Sequence, residues 1–149
     1  MNDKEKKLNI FFVNIFNQIL AWEESTVRLS GLKDLSVKEL HIIEAASILC
    51  EDDCQTMGNI AARLQITVGA LTTAVNTLVS KGYLCRGGDS GDRRKVYIFL
   101  TEEGKTALKK HEEFHRNMIQ DIVKMLDDNS FDNLIGSLDM LSGYFKNLK

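Results

Sequence analysis

No proline interrupts the chain, so nothing along its length locks φ or removes a backbone donor. Each segment with a helical apolar rhythm is therefore free to run as unbroken helix. Leu8, Phe11, Phe12, Ile15, Ile19 and Trp22 recur at steps of three and four and share one stripe, which Phe16, Leu20 and Val27 widen. Gly31 ends that pattern. Ser36 then stands as an N-cap with Glu39 three residues on, the spacing of a capping box. Leu40, Ile43, Ala46, Ile48 and Leu49 fill a mostly buried second helix, which gives way to an acidic turn over residues 51–53.

Two short helices follow. Thr56 caps one containing Ile60, Ala61 and Leu64; Thr67 caps another containing Leu71, Val75, Leu78 and Val79, and Gly82 stands where it should stop. The turn at Gln65 and Ile66, with small Ala61 and Ala62 where the helices must approach, reads as a helix-turn-helix. Val96, Ile98 and Leu100 then alternate with Tyr97 and Phe99, a period-two strand whose shorter partner is expected over residues 83–86. A polar, glycine-rich tip over residues 87–92 precedes Arg93, Arg94 and Lys95. Thr101 caps a long helix with a seam from Ala107 through His111, Phe114, Met118 and Ile122 to Leu126. After a break over residues 127–130, Phe131, Leu134, Ile135, Leu138, Leu141 and Phe145 resume the pattern. The expected fold is mainly α with a small β-hairpin wing, a winged helix-turn-helix over residues 36–101 inside a single domain over 1–149.

Charge sharpens the functional reading. The net charge is only −2, which argues against a protein that coats DNA. Yet five cations against two acids leave residues 81–95 at +3, so the remainder carries −5. A helix fits the major groove, and a basic hairpin beside it reaches the neighbouring backbone or minor groove. Thr67, Thr72, Thr73 and Asn76 face outward on the helix after the turn, where hydroxyls and a carboxamide contact base edges or phosphates. The apolar stripes over residues 8–28 and 102–148 exceed what so small a reading unit covers. A symmetric helical dimer absorbs that excess and sets two reading helices ~34–36 Å apart on a pseudo-palindromic site.

Enzyme chemistry has one opening. His111-Glu112-Glu113-Phe114-His115 satisfies H-E-x-x-H, but a catalytic zinc needs a third protein ligand. Downstream there is no histidine, and Asp121 is the only early carboxylate. The two histidines are read as structural or ligand-pocket residues, ahead of a regulatory metal at His111 and His115. No catalytic residue, metal or cofactor is expected. Cys50, Cys54 and Cys85 form an odd set without a secretion-type leader, as in a cytoplasmic chain with reduced thiols. An adaptor module is the alternative class, but it would not need a basic wing.

The order of helices and wing resembles the MarR family across nearly the whole chain. The carrying stretch is Asp92-Arg93-Arg94, then Val96-Tyr97-Ile98 and Leu100-Thr101-Glu102-Glu103-Gly104. The resemblance implies Asp92 as orienting residue, Arg94 as minor-groove contact and Arg93 as phosphate contact. Asn14-Ile15-Phe16-Asn17, residues 32–39, residues 67–76, Lys81-Gly82-Tyr83 and the His111, Phe114, His115 trio resemble the FabT-type repressors of fatty-acid synthesis. Thr73, where most MarR proteins have arginine, is a departure that FabT-type proteins share. That likeness implies acylated acyl carrier protein as corepressor. Its acyl chain would lie between the first, second and long C-terminal helices, with Phe12, Phe16, Ile19, Phe114 and His115 as candidate lining. A MarR repressor released by another small molecule is the alternative. A reactive cysteine near the start of the first helix, as in peroxide-sensing relatives, is lacking.

Overall fold

The computed structural model describes residues 1–48, 55–88 and 96–147, which fall into two compact units, Met1–Glu112 and Glu113–Lys149. In the first unit α1 (Asp3–Leu29) begins ahead of its apolar stripe because Asn2 and Glu5 close a capping box: Glu5 N–H donates to Asn2 Oδ1 at 2.9 Å and Asn2 N–H to Glu5 Oε2 at 2.8 Å. Ser36 and Glu39 repeat the device at α2 (Val37–Ser47). That helix is shorter than its apolar pattern. Ile48 is extended and exposed, and Leu49 lies outside the described residues.

Thr56 caps α3 (Met57–Leu64) and Thr67 caps α4 (Val68–Ser80). Between them Gln65 takes a left-handed φ of +56°. α4 stops in a Schellman motif, with Gly82 (φ +81°) donating to Val79 O at 3.0 Å and Tyr83 to Leu78 O at 2.9 Å. β1 (Leu84–Gly88) pairs antiparallel with β2 (Val96–Leu100), Arg86 opposite Ile98 and Gly88 opposite Val96. β1 runs two residues past its expected end, since Gly87 lets the Phe99 ring lie over the strand; a Cβ there would meet Phe99 Cε2 at 2.6 Å. A bridge from Thr56 to Tyr97, with Ile98 N–H donating to Gln55 O at 2.9 Å, ties the hairpin to the start of α3.

Side chains from every part of this unit meet in one core, where Leu40, Ile43, Ile60, Leu71, Val75, Leu78, Leu84 and Ile98 are fully buried. Burial of such side chains contributes ~1.5–3 kcal/mol each, so the helix-turn-helix and hairpin stand as one body. α5 (Glu102–Lys124) starts at Thr101, whose Oγ1 accepts from Gly104 N–H at 3.1 Å. The second unit holds the end of α5 and α6 (Asp128–Lys146). Asp127 caps α6 through Ser130 N–H at 2.8 Å, so the expected break over 127–130 shrinks and residues 128–130 form the first helical turn. No residue of α6 is buried, and Leu134, Ile135, Leu138, Tyr144 and Phe145 are exposed. Among the described residues no helix is long and apolar enough to cross a membrane.

Candidate functional site

α4 presents its polar side chains on one exposed face because Leu71, Val75 and Leu78 commit the opposite face to the core. Thr67 is spent locally, its Oγ1 accepting from Ala70 N–H at 3.2 Å. Thr72 Oγ1 donates to Val68 O at 2.7 Å and Thr73 Oγ1 to Gly69 O at 3.4 Å. Their hydroxyl protons turn back to the helix, which leaves methyl groups and oxygen lone pairs to face outward. Asn76 is exposed too, and its Oδ1 accepts from Arg86 Nη2 on β1. Asp92, Arg93 and Arg94, like Cys50 and Cys54, lie outside the described residues. Cys85 is exposed on β1.

The C-terminal end of α4 is clamped to the start of α2. Lys81 Nζ donates to Glu39 Oε1 at 2.7 Å and to the Asp34 carbonyl, while Tyr83 Oη donates to Asp34 Oδ1 at 2.8 Å. Burial pushes the Glu39 carboxyl upward, but the bonds from Lys81 and Ser36 outweigh it and hold the group below its ordinary value. Burial, then the Asp34 carboxylate, push the Tyr83 hydroxyl up to about 12.

A second cluster is formed by α1, α2 and α5. Glu23 on α1, His41 on α2 and His111 on α5 bring one ligand atom each within 4.8 Å of one another. Glu23 Oε1 stands 3.4 Å from His41 Nε2, the rings of His41 and His111 are 5.5 Å apart, and Glu44 Oε2 is 3.6 Å from His111 Nε2. Glu23 is 5% exposed and His111 4%. Burying a carboxylate and imidazoles together is costly unless each is compensated, and a shared cation is one such compensation. A tetrahedral zinc with bonds of ~2.0–2.2 Å sets its ligand atoms ~3.3–3.5 Å apart, so the Glu23–His41 edge already has that span. His115 follows His111 by one helical turn and shares its face of α5.

Glu23 and His41, the candidate partners of His111, lie upstream of it in the chain, not downstream of His115 where a third ligand would be expected. A signal for Glu23 was present: it takes the stripe position between Ile19 and Val27, one turn from each, where an apolar residue belongs. Of the proposed acyl-lining residues, Phe12 and Ile19 are half-buried while Phe16 is 69% exposed. In the second unit Phe114 is buried and meets the half-buried His115 ring edge-on at 5.1 Å.

Residues 35–96 match the family profile described as MarR family. The chain is similar to the transcriptional regulator AdcR of Streptococcus pyogenes, 31% identical over 116 residues that cover 77% of this chain and 76% of that protein. It is also similar to YvnA of Bacillus subtilis, an uncharacterized HTH-type transcriptional regulator, at 25% identity over 104 residues; the match covers 68% of this chain and spans 63% of that protein's length. Among solved structures, Streptococcus pneumoniae FabT in complex with DNA is 30% identical, with a TM-score of 0.89 over 97% of this chain and 99% of that one.

Proposed function

The chain belongs to the MarR family of DNA-binding transcriptional regulators and is not an enzyme; from that premise we propose that it is a dimeric, cytoplasmic repressor whose hold on DNA is set by a divalent metal ion. Glu23, His41 and His111 would hold the ion. The observation that carries this is the convergence of these three, from three separate helices, within 4.8 Å. Imidazole and carboxylate donors suit zinc and neighbouring first-row ions. Bound there, the ion supplies positive charge that neutralises Glu23 and ties α1, α2 and α5 together.

α2 packs against α3, α4 and β2, so what fixes α2 also biases the reading unit. The fold is similar to that of a relative bound to DNA, and an ion that binds the DNA-competent form better than the other form tightens DNA binding. The ion is therefore read as a corepressor. On the operator, a pseudo-palindrome, α4 would enter the major groove with Thr67, Thr72, Thr73 and Asn76 at its surface. Asp92 would orient Arg94 into the minor groove, with Arg93 on a phosphate. The exposed apolar residues of α1 and of α6 supply material for the dimer interface, over residues 8–28 and 102–148.

The likeness to FabT favours a second effector: acylated acyl carrier protein, on a repressor of fatty-acid synthesis genes, with Phe12, Phe16, Ile19, Phe114 and His115 toward the acyl chain. One experiment separates the two. Binding to the protein's own upstream DNA is followed by fluorescence anisotropy with zinc, with a chelator, and with long-chain acyl carrier protein. Binding tightened by zinc and lost to chelator is expected. Binding indifferent to metal but strengthened by the acylated carrier replaces the first effector with the second. Indifference to both returns the effector to another small molecule.

A further inference from the structure

α4 carries no cation. From Val68 to Ser80 its residues are small, apolar or neutral polar, and Lys81, just beyond, is committed to Glu39 and the Asp34 carbonyl. A helix that is to sit in a groove lined by phosphates draws most of its affinity from positive charge, so that charge must come from a neighbouring element. Arg86 is in that position. It is exposed on β1, opposite the buried Ile98, and its Nη2 donates to Oδ1 of Asn76 on the outward face of α4. The carboxamide is one turn beyond Thr72, so the guanidinium is held at the edge of the polar face rather than at its centre.

Resting on the reading of α4 as the DNA-contacting helix, we propose that Arg86 is a DNA-binding residue that clamps a backbone phosphate, and that Asn76 is the positioning residue that aims it. Asn76 needs both Oδ1 and Nδ2 to bond adenine bidentately, and Oδ1 is engaged by Arg86. The guanidinium is a planar fork with five donors, of which one contact to Asn76 uses only part. The rest of the fork matches two oxygens of one phosphate. A flanking position suits the backbone, which fixes the register of the helix while Thr72 and Thr73 meet base edges.

The test is a double-mutant cycle on the full-length protein, Arg86→Ala and Asn76→Ala alone and together. Binding is measured to the upstream DNA and to a random duplex, over a series of salt concentrations. Arg86→Ala is expected to weaken both duplexes by a similar factor and to lower the slope of log affinity against log salt by about one. Asn76→Ala should weaken binding less, and should add nothing once Arg86 is gone. Arg86→Lys should keep the salt slope but lose its dependence on Asn76. Melting curves check that these exposed substitutions leave the fold intact. A loss confined to one base position with the slope unchanged overturns the phosphate assignment. An Asn76→Ala loss of equal size in both backgrounds overturns the positioning role. If the wild-type protein binds neither duplex, the DNA-contacting reading of α4 itself falls, and this inference with it.

Discussion

Gly104, in the first turn of α5, shows how closely the long helix is seated on the hairpin's base. A Cβ there would meet the Tyr83 carbonyl oxygen at 2.1 Å, and that oxygen also accepts from Thr101 N–H at 3.1 Å. Helix propensity favours alanine over glycine by up to ~1 kcal/mol, whereas overpacking against a fixed backbone costs ~1–3 kcal/mol. The steric term wins, so Gly104→Ala should lower the urea midpoint; a higher midpoint would mean that α5 starts less rigidly than this. At Glu23 the question is chemical. Glu23→Gln keeps size and polarity but removes the charge, and should weaken zinc binding by more than the ~10–100-fold typical of outer-shell changes. Competition against a chromophoric chelator reads this directly, and an unchanged affinity would remove Glu23 from the ligand set. Single residues were unevenly legible. His111 and His115 announce themselves by spacing, but the approach of His111 to His41 depends on how helices cross, and apolar periodicity carries no record of that. The type and face of Asn76 were visible in the sequence, while the arginine that donates to it sits on another element.

The elements themselves were legible wherever a cap and a period agreed. Ser36, Thr56, Thr67 and Thr101 each begin a helix in the structure, whereas Asp127, read as part of a break, turned out to be the cap of α6. Failures came where a local signal was outvoted. Gly87 and Gly88 spell a turn, yet they pair with Tyr97 and Val96 because the Phe99 ring requires a strand without a side chain beneath it. The clamp between α2 and α4 was not legible, since Lys81 and Tyr83 meet Asp34 and Glu39 only in three dimensions. It has a pH signature with two sides. Glu39 titrates below its ordinary value, so its contribution is present above that value and is lost as pH falls through the lowered one. Tyr83 titrates above its ordinary value, so its contribution is present below pH 10 and is lost as pH rises from there toward about 12. Thermal melts across pH should show Glu39→Gln narrowing the acid loss and Tyr83→Phe narrowing the alkaline loss. If each variant melts in parallel with the wild type across its own limb, the clamp contributes nothing to stability.

For the whole molecule, the proposed metal binding and DNA binding would be parts of one equilibrium. If the ion tightens DNA binding by some factor, DNA must tighten ion binding by the same factor, because both routes to the ternary complex have equal free energy. Couplings of this kind span ~1–3 kcal/mol, roughly 5–150-fold, and an ion with equal affinity for both forms would shift nothing however tightly it bound. In the proposed dimer the two copies of α4 must match two half-sites at once, so whatever fixes α2 in both protomers acts on both contacts together. Zinc affinity measured with and without saturating upstream DNA should therefore differ by the factor that separates DNA affinity with and without zinc. His41→Ala should bring both factors to about one while leaving metal-independent DNA binding in place, because the imidazole lies apart from the outward face of α4. Two unequal factors would mean that a further species, such as a second ion or a monomer, takes part. Equal factors that survive His41→Ala would move the coupled metal site elsewhere in the chain.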